Sequence, residues 1–552
     1  MSEVTRRLGE IVTEALTRAK ADGLISGEVP EPAFEHPRRK EHGDWATNVA
    51  LIASGGGDPR ALADAIVERL PESDIIRSVA VAGPGFLNFH LSPKWLHEVV
   101  TRAATPSSGF GRSDIGAGQK VNVEYVSANP TGPVNVVSGR HAAVGDAIAS
   151  LLGATGHNVT REFYINNAGR QIRLFGESVG ARYLQHHGRE ADVPEDGYQG
   201  DYLIDVVREI SDDIGDELVD VPAEERNIRL GESALATMVH QMRETLYRFG
   251  TTFDVWFSEK TLHDTGSVDT AIGSLRASGY VYERDGAVWF RSSDLGDDND
   301  RVLVRSDGTP TYLAADTAYV LDKFGRGFDR LLYLWGPDHH GSIARFLAAV
   351  EALGLERDRV EVSIVQVVSL LRGGEAVKAS KRAGVVVPLE ELIDDVGPDA
   401  ARYMFLQRSM EAPLDFDLNL AREQAPENPV FYVQYAHARI CSILRKATDE
   451  GVAVDVSSAP LERLAHDSED DLMRALATYE DVIPEAARMR SPQRLTRYIE
   501  DLASTFTSFY RDCKVVTDDA DLTSARLALC VATKNVIADA LSLLGVGAPE
   551  SM

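Results

Sequence analysis

Lys378-Ala379-Ser380-Lys381 sets two ammonium groups around a hydroxyl, with Arg382-Ala383-Gly384 directly behind. Two cations on a loop suit a polyphosphate that gains negative charge as a bond breaks. Fixed cations aimed at developing charge are usually the largest single catalytic term. The elements upstream must aim that loop. Ile364–Leu371 is apolar and β-branched, and it reads as one buried strand. Gly373-Gly374 is a two-residue turn, and Glu375–Val377 leads out of it as a second hairpin arm. Taken alone, a KxSK match is common by chance and equally fits a solvated basic loop.

A second stretch runs Ala128-Asn129-Pro130-Thr131-Gly132-Pro133-Val134-Asn135-Val136-Val137-Ser138-Gly139-Arg140. Val121–Val126 before it alternates as a strand, and Pro130, Gly132 and Pro133 interrupt regular structure. Beyond it, Val144, Ile148, Leu151 and Thr155 share one helix face, and Val159–Ile165 is a second strand. A Gly132-Pro133 loop between a strand and a helix N-terminus is where α/β folds hold phosphates. Neither GxxxxGK[ST] nor GxGxxG occurs here, so it is neither a P-loop nor a dinucleotide fingerprint.

Gly336-Pro337-Asp338-His339-His340 follows the apolar strand Leu331–Trp335 and precedes a helix carrying Ile343, Phe346, Leu347 and Val350. That also places it at the C-terminal edge of a sheet. Adjacent side chains diverge, so Asp338, His339 and His340 are poorly spaced for a metal. Tyr312 and Asp316 are i, i+4 on one face of a short helix, a spacing that an ordinary surface pair also shows. Asp285-Gly286 and Asp307-Gly308 sit between β-prone runs as hairpin turns. Phe86 and Asn88 follow the turn Gly83-Pro84-Gly85. An aromatic beside an amide suits stacking and edge-reading of an unpaired base, and Phe86 also suits a core.

The 552 residues allow about three or four domains. No apolar run approaches the ~20 residues of a membrane span, and Met1–Lys20 is amphipathic and charged, unlike a signal peptide. Cys441, Cys513 and Cys530 form neither a metal pair nor a disulfide framework, which fits a reducing cytosol. Asp and Glu total 85 against 57 Lys and Arg, a net charge of −28, and only 11 of the basic residues are lysine. Such a surface disfavours non-specific polyanion binding and suits a salty cytosol. Local basic patches still permit a nucleic-acid ligand. Thr105–Gly118 is Ser/Gly-rich and reads as a linker. From Lys120 strands alternate with helices, the pattern of a parallel α/β sheet. Past Leu420 only Gly451, Gly545 and Gly547 remain of the 45 glycines, and helical periodicity dominates, so the C-terminal part reads as a separate all-α domain.

Seven segments, Glu124–Pro133, Phe163–Gln171, Gly197–Tyr202, Thr311–Asp316, Lys378–Gly384, Glu427–Ile443 and Leu544–Met552, resemble arginyl-tRNA synthetases. The resemblance runs in order from about His42-Gly43-Asp44 to the last residue. It implies a class I enzyme that activates L-arginine with ATP to arginyl-adenylate. Arginine then passes to the 3′-terminal ribose of arginine tRNA, with release of AMP and pyrophosphate. The family typically needs bound tRNA before activation proceeds. The fold implied is multidomain α/β. A small α+β N-terminal domain (1–112) meets the tRNA D-loop, a Rossmann-type parallel-sheet catalytic domain with insertions spans 113–412, and an all-α anticodon-binding domain spans 413–552.

The resemblance also implies residue roles. Glu124, Asn129, Tyr312 and Asp316 match the arginine site, with Asp316 at the guanidinium, Tyr312 as a wall, and Glu124 with Asn129 at the amino-acid head and side chain. A guanidinium, always charged and rich in donors, calls for such carboxylates and amide oxygens. Gly132, Pro133, Asn135, Ser138, Gly336, Asp338, His339, Lys378 and Lys381 match ATP contacts, and Ser380 fixes the lysine loop. Which of Asp338, His339 and His340 meets substrate stays open.

Two departures stand out. Asn135-Val136-Val137-Ser138 replaces the family's HIGH, and Ala379 replaces a common methionine. Asn135 keeps an NH2 donor, Ser138 a shorter hydroxyl that a water can extend, and His141 is a further donor nearby. Tyr435 and Arg439 match a stretch near the anticodon, Phe86 and Asn88 one at the D-loop, and Met552 a position close to tRNA. Arg488, Arg490, Arg494 and Arg497 fit either phosphate contact or a solvated face. The expected partners are arginine tRNA, L-arginine and ATP with Mg²⁺ as substrate, for a cytoplasmic monomer with no prosthetic group, no protein metal site and no membrane contact. The rival reading is a catalytically inactive paralogue that binds arginine tRNA or arginine. The missing histidines favour that reading, and the retained lysine loop and pocket oppose it. Glu124 and Asp316 disfavour a synthetase for another amino acid, because they suit a cationic side chain.

Overall fold

Leu8, Val12, Ala15, Leu16 and Ala19 give α1 (Glu3–Ala21) one apolar stripe. The stripe enters a core shared with Leu87 and Phe89 of a small antiparallel sheet, order β1-β3-β2, made of β1 (Trp45–Thr47), β2 (Ile76–Ala82) and β3 (Phe86–Leu91). Gly83 and Gly85 turn β2 into β3 at positive φ. α2 (Lys94–Ala104) follows. The computed structural model describes residues 3–37, 39–377 and 387–552. The expected linker Thr105–Gly118 is pinned rather than loose: Phe110 stacks on Tyr479, and the Gly116 amide donates to the Thr155 carbonyl at 2.7 Å.

Beyond it the chain winds twice around one sheet. β4 (Lys120–Glu124), α3 (Val136–Ala154) and β5 (Asn158–Ile165) form the first crossover. The helices α4 (Arg170–His186), α5 (Tyr202–Ile214) and α6 (Ala223–Arg248) lead to β6 (Val255–Ser258) and the short α7 (Glu259–Asp264). A separate antiparallel sheet follows, formed by β7 (Val281–Arg284), β8 (Ala287–Phe290) and β9 (Arg301–Val304). Then come α8 (Tyr312–Gly325), β10 (Arg330–Trp335) and β11 (Val360–Ile364).

The main sheet is parallel throughout, in the order β11-β10-β4-β5-β6. The chain moves outward from β4 to β6, then returns to the other side of β4. Strand order therefore reverses between β4 and β10, and the crevice beyond their C-terminal ends is the natural ligand site of such a sheet. α3 is buried on nearly every face. It lies close to the sheet because a Cβ on Gly145 would stand 2.2 Å from the Tyr125 ring.

Four elements depart from the sequence reading. Ile364–Leu371 is two strands. β11 ends at Ile364, the chain changes sheets, and β12 (Val368–Arg372) pairs in parallel with β14 (Leu414–Asp417) and antiparallel with β13 (Glu375–Ala376). An apolar run cannot reveal that its two halves serve different sheets. The strand expected over Val121–Val126 stops at Glu124, because Val126 and Ser127 adopt φ of 69° and 36°. Tyr312 and Asp316 lie on a 14-residue helix rather than a short one. The Asp307-Gly308 turn closes on a single bridge, Val304 with Pro310.

α9 (Pro398–Leu406) connects to the C-terminal bundle of α10 (Pro429–Asp449), α11 (Asp467–Ala477), α12 (Tyr479–Arg488), α13 (Gln493–Asp512) and α14 (Ala520–Leu543). α14 also packs on α2, where Asn535 Nδ2 donates to the Ala103 and Ala104 carbonyls. Arg402 of α9 is buried and donates to Asp146 Oδ2 of α3 at 2.6 Å, to the Leu544 and Phe249 carbonyls, and to Thr251 Oγ1. The tail runs back across the bundle. Gln434 Nε2 donates to Asp399 Oδ2 and to the Gly547 carbonyl, both at 2.8 Å.

Candidate active site

The crevice between β4 and β10 begins with a strained turn. Val126 is β-branched and sits at positive φ, a conformation costing about 1–3 kcal/mol unless its surroundings enforce it. Ser127 supplies that enforcement: its Oγ donates to Glu124 Oε1 at 3.0 Å and accepts from the Tyr164 amide at 3.1 Å. The loop then runs along Thr131, whose carbonyl accepts a hydrogen bond from the Tyr202 hydroxyl. So Gly197–Tyr202 holds the loop from behind. Asn129 donates to Gln171 across the crevice, and Gly132 and Pro133 lead to α3.

Asn135 caps α3. Its Oδ1 accepts the Ser138 amide at 2.9 Å, which leaves Nδ2 as the free donor of the side chain. Ser138 is half-buried one turn further on. His141, the other candidate donor, meets the main chain of Leu334 in β10. It is buried, and loss of solvent, helped by Arg140, pushes its pKa down to about 4. It is a neutral packing residue beneath β10. Val136 donates to Val387 and Leu389 to Val134, at 3.1 and 2.8 Å, so the chain emerging from the lysine segment is stapled to the start of α3. Lys378, Ser380 and Lys381 themselves lie outside the described residues.

The floor of the crevice is a set of paired charges. Lys323 of α8, 0% exposed, donates to Glu124 Oε2 at 2.6 Å and lies over the rings of Tyr319 and Tyr333. Burial lowers its pKa, and Glu124 and Glu162 oppose that fall. Glu162, also fully buried, takes Arg326 in a bidentate pair at 2.7 and 2.8 Å and accepts from Asn122 at 2.6 Å. Burial works against its charge, yet Arg326, Lys323 and Tyr319 hold its carboxyl below the usual range. Two buried carboxylates thus stand against two cations, and Asp322 is a further partner of Arg326 at 2.8 Å.

Above it stand two more carboxyls. Loss of solvent, then the proximity of Glu124 and Glu259, push Asp316 up to about 7, with Arg345 opposing. Burial raises Glu259 likewise, against His263 at 3.7 Å. Glu259 Oε2 is buried and finds no hydrogen-bond partner among the described residues. Glu259 was missed in the sequence because Ser258-Glu259 reads as any helix start. Its position at the C-terminal end of β6 was the available signal. Tyr312, one turn before Asp316, is 63% exposed and stands at the rim.

On the β10 side, Gly336 ends the strand, and Asp338, His339 and His340 are all exposed, with Asp338 and His339 3.6 Å apart. No group of three or more His, Cys, Asp or Glu among the described residues is arranged for a metal. A cavity of about 1160 Å³ adjoins the crevice between α4, α6 and α7, lined by Pro130, Asn167, Ile228, Arg243, Lys260 and His263 among others.

The expected RNA contacts are spread more widely. Phe86 is half-buried at the start of β3, whereas Asn88 is 6% exposed within the central strand, so Phe86 alone of the two is open to solvent. On the bundle, Arg439 lies over both Tyr435 and Tyr510, 4.5 and 5.5 Å from their ring centres, and both tyrosines are exposed. Tyr510, from α13, is the member that sequence spacing did not reveal. Met552 is exposed at the end of the tail. The four clustered arginines do not act as one: Arg490 pairs with Glu361 and Arg494 with Glu485, both at 3.1 Å.

Three family models cover most of the chain: the arginyl tRNA synthetase N-terminal domain over 6–91, the class I (R) tRNA synthetase catalytic domain over 107–412, and the DALR anticodon binding domain over 433–552. An arginine–tRNA ligase of Moorella thermoacetica is 48% identical over the whole of both chains. One of Heliobacterium modesticaldum is 45% identical over all of this chain and 99% of its own. The chain belongs to the arginyl-tRNA synthetase family. The Thermus thermophilus arginyl-tRNA synthetase structure shares the synthetase's fold, with a TM-score of 0.74 and 24% identity over 99% of this chain and all of that one. The synthetase thus has the class I parallel-sheet catalytic domain, an N-terminal domain and a helical C-terminal domain. The alternative of an inactive paralogue finds no support in these likenesses.

Proposed function

We propose that this chain ligates arginine to arginine tRNA, with Asp316, Glu259, Glu124 and Asn129 holding the amino acid. The orphaned, buried Glu259 oxygen beside a proton-retaining Asp316 carries the reading. Substrate arginine brings a permanent cation with five N–H donors to the carboxyls of Asp316 and Glu259. Tyr312 then covers the aliphatic stem.

The arginine carboxylate attacks the α-phosphorus of ATP, entering as its Mg²⁺ complex, and the bond to the β-phosphate oxygen breaks to release pyrophosphate. Lys378 and Lys381, positioned by Ser380, neutralise the leaving charge. Asn135 Nδ2, Ser138 and the amides of the Gly132-Pro133 loop meet phosphate oxygens, and Gly336, Asp338 and His339 border the nucleoside. A ribose hydroxyl at the tRNA 3′ end then attacks the activated carbonyl, and AMP leaves. Segments 1–112, 113–412 and 413–552 divide the work: D-loop contact through Phe86, with Asn88 buried behind it, catalysis, and anticodon contact through Tyr435 and Arg439, with Met552 close to the RNA. The family resemblance supports a cytoplasmic monomer.

The test is arginine-dependent ATP–pyrophosphate exchange with and without tRNA. Exchange that needs arginine is expected, and exchange driven equally by lysine or citrulline would overturn the assignment. Lys381→Ala is expected to slow activation about a hundredfold, the ~3 kcal/mol typical of one lost charge-stabilising donor.

A further inference from the structure

Arg140 is fully buried on α3, five residues past Asn135, and among the described residues it has no carboxylate partner. Its Nη1 donates to the Gln366 and Ala412 carbonyls at 2.9 Å and to Val367 at 3.4 Å, and its Nη2 donates to Ser409 at 2.9 Å. Every acceptor is main-chain, and together they form two segments. One, Gln366–Val367, is the crossing between β11 and β12. The other, Ser409–Ala412, precedes β14. These segments also bind each other, Gln366 N to Met410 O at 2.8 Å and Leu414 N to Val367 O at 3.1 Å.

A buried guanidinium without a counter-ion is costly to keep. Burial lowers its pKa to about 10, and no neighbouring charge offsets that. A planar fork of donors is the one side chain that can join several carbonyls at a fixed geometry. What it joins is informative. The crossing at 365–367 is the root of the β12–β13 hairpin, from which the chain continues through Val377 into Lys378. The far side of the same excursion returns at Val387–Leu389, bonded to Val134 and Val136 at the start of α3. Both ends of the lysine segment are therefore anchored on the helix whose N-terminus carries Asn135 and Ser138.

We propose that Arg140 is a positioning residue that fixes the β12–β13 hairpin relative to the N-terminus of α3, and so sets the spacing between the two phosphate-binding groups. This rests on the reading that Lys378 and Lys381 hold ATP phosphates. A rigid spacing matters more here than it would with two histidines in the helix motif, because Ser138 is a shorter-armed donor.

Arg140→Lys keeps the charge but cannot span the two segments, and Arg140→Gln removes the charge. Both are compared with Lys381→Ala in pyrophosphate exchange, with tRNA present and KM measured separately for ATP, pyrophosphate and arginine. The expected result is a tenfold or greater rise in KM for ATP and pyrophosphate in both Arg140 variants, with KM for arginine changed less than twofold. An equal rise in all three constants, or a lowered Tm with unchanged KM values, would mean that Arg140 serves the fold alone and would overturn the proposal. So would normal ATP handling in Arg140→Lys, which decides the matter if Arg140→Gln does not fold. If Lys381→Ala leaves ATP handling intact, the lysine reading fails, whatever the Arg140 variants do.

Discussion

Asp316 carries the most direct consequence of the site's charge balance. Its carboxyl holds a proton up to about pH 7 because solvent is excluded and two other carboxyls face it. Arginine needs the ionised form. Log KM for arginine is therefore expected to fall with a slope near −1 as pH rises from about 5.5 to 7, then flatten, while KM for ATP stays level over that range. A flat arginine profile would remove Asp316 from the pocket. The same shift affects stability. The folded state holds this proton more tightly than the unfolded chain, whose Asp titrates near 4, so stability falls as pH rises from about 4 to 7. Asp316→Asn is expected to raise Tm at pH 8 by a few degrees, worth on the order of 1–3 kcal/mol, while raising KM for arginine far more than KM for ATP. A functional carboxylate that weakens the empty protein is the usual cost of a site built for its substrate's charge.

At the level of the element, the N-terminus of α3 serves structure and chemistry with one side chain. Asn135 Oδ1 caps the helix, and its NH2 group is the donor proposed for the phosphates. Asn135→Asp separates the two uses. The cap acceptor remains, so Tm should change by no more than about two degrees, since Asp and Asn cap equally well. The donor becomes an anion facing phosphate oxygens, so activation should slow by about a hundredfold. Single-turnover adenylate formation reads the rate, and thermal denaturation reads the cap. Unimpaired adenylate formation would show that the helix amides alone meet the nucleotide.

For the whole molecule, one buried guanidinium joins the end of the C-terminal bundle to the catalytic core. Arg402 donates to Asp146 of α3, to Leu544 at the end of α14, and to Phe249 and Thr251 just past α6. Asp146 also accepts from Arg161 of β5 at 2.9 Å. Asp146→Ala strands the Arg402 charge without a counter-ion. It should cost about 3–5 kcal/mol, read as a lower denaturation midpoint. A loss below about 1 kcal/mol would mean that the three remaining oxygen acceptors, Leu544 O, Phe249 O and Thr251 Oγ1, suffice without the carboxylate. The net charge of −28 acts on the same scale, through repulsion that salt screens over ~3 Å at 1 M and ~30 Å at 0.01 M. Tm and charging activity should both rise as KCl increases from dilute buffer toward molar levels. Activity that is highest in dilute buffer and falls steadily would refute a salt-adapted surface.

Local chemistry determined much of this protein before any fold was known. The Gly132-Pro133 turn into a helix, the hairpin at Gly373-Gly374 and the glycine-poor helical C-terminus follow from backbone preference and period, which act over a few residues. The order of segments along the chain carried the family. Tertiary structure alone decided which side chains share an environment. It exposed Glu259 as a fourth carboxyl of the crevice beside Glu124, Glu162 and Asp316, paired Glu124 with the buried Lys323, buried His141, and split Ile364–Leu371 between two sheets through the carbonyls that Arg140 holds. Burial and charge balance arise from residues hundreds of positions apart, and no local pattern encodes the distance between them.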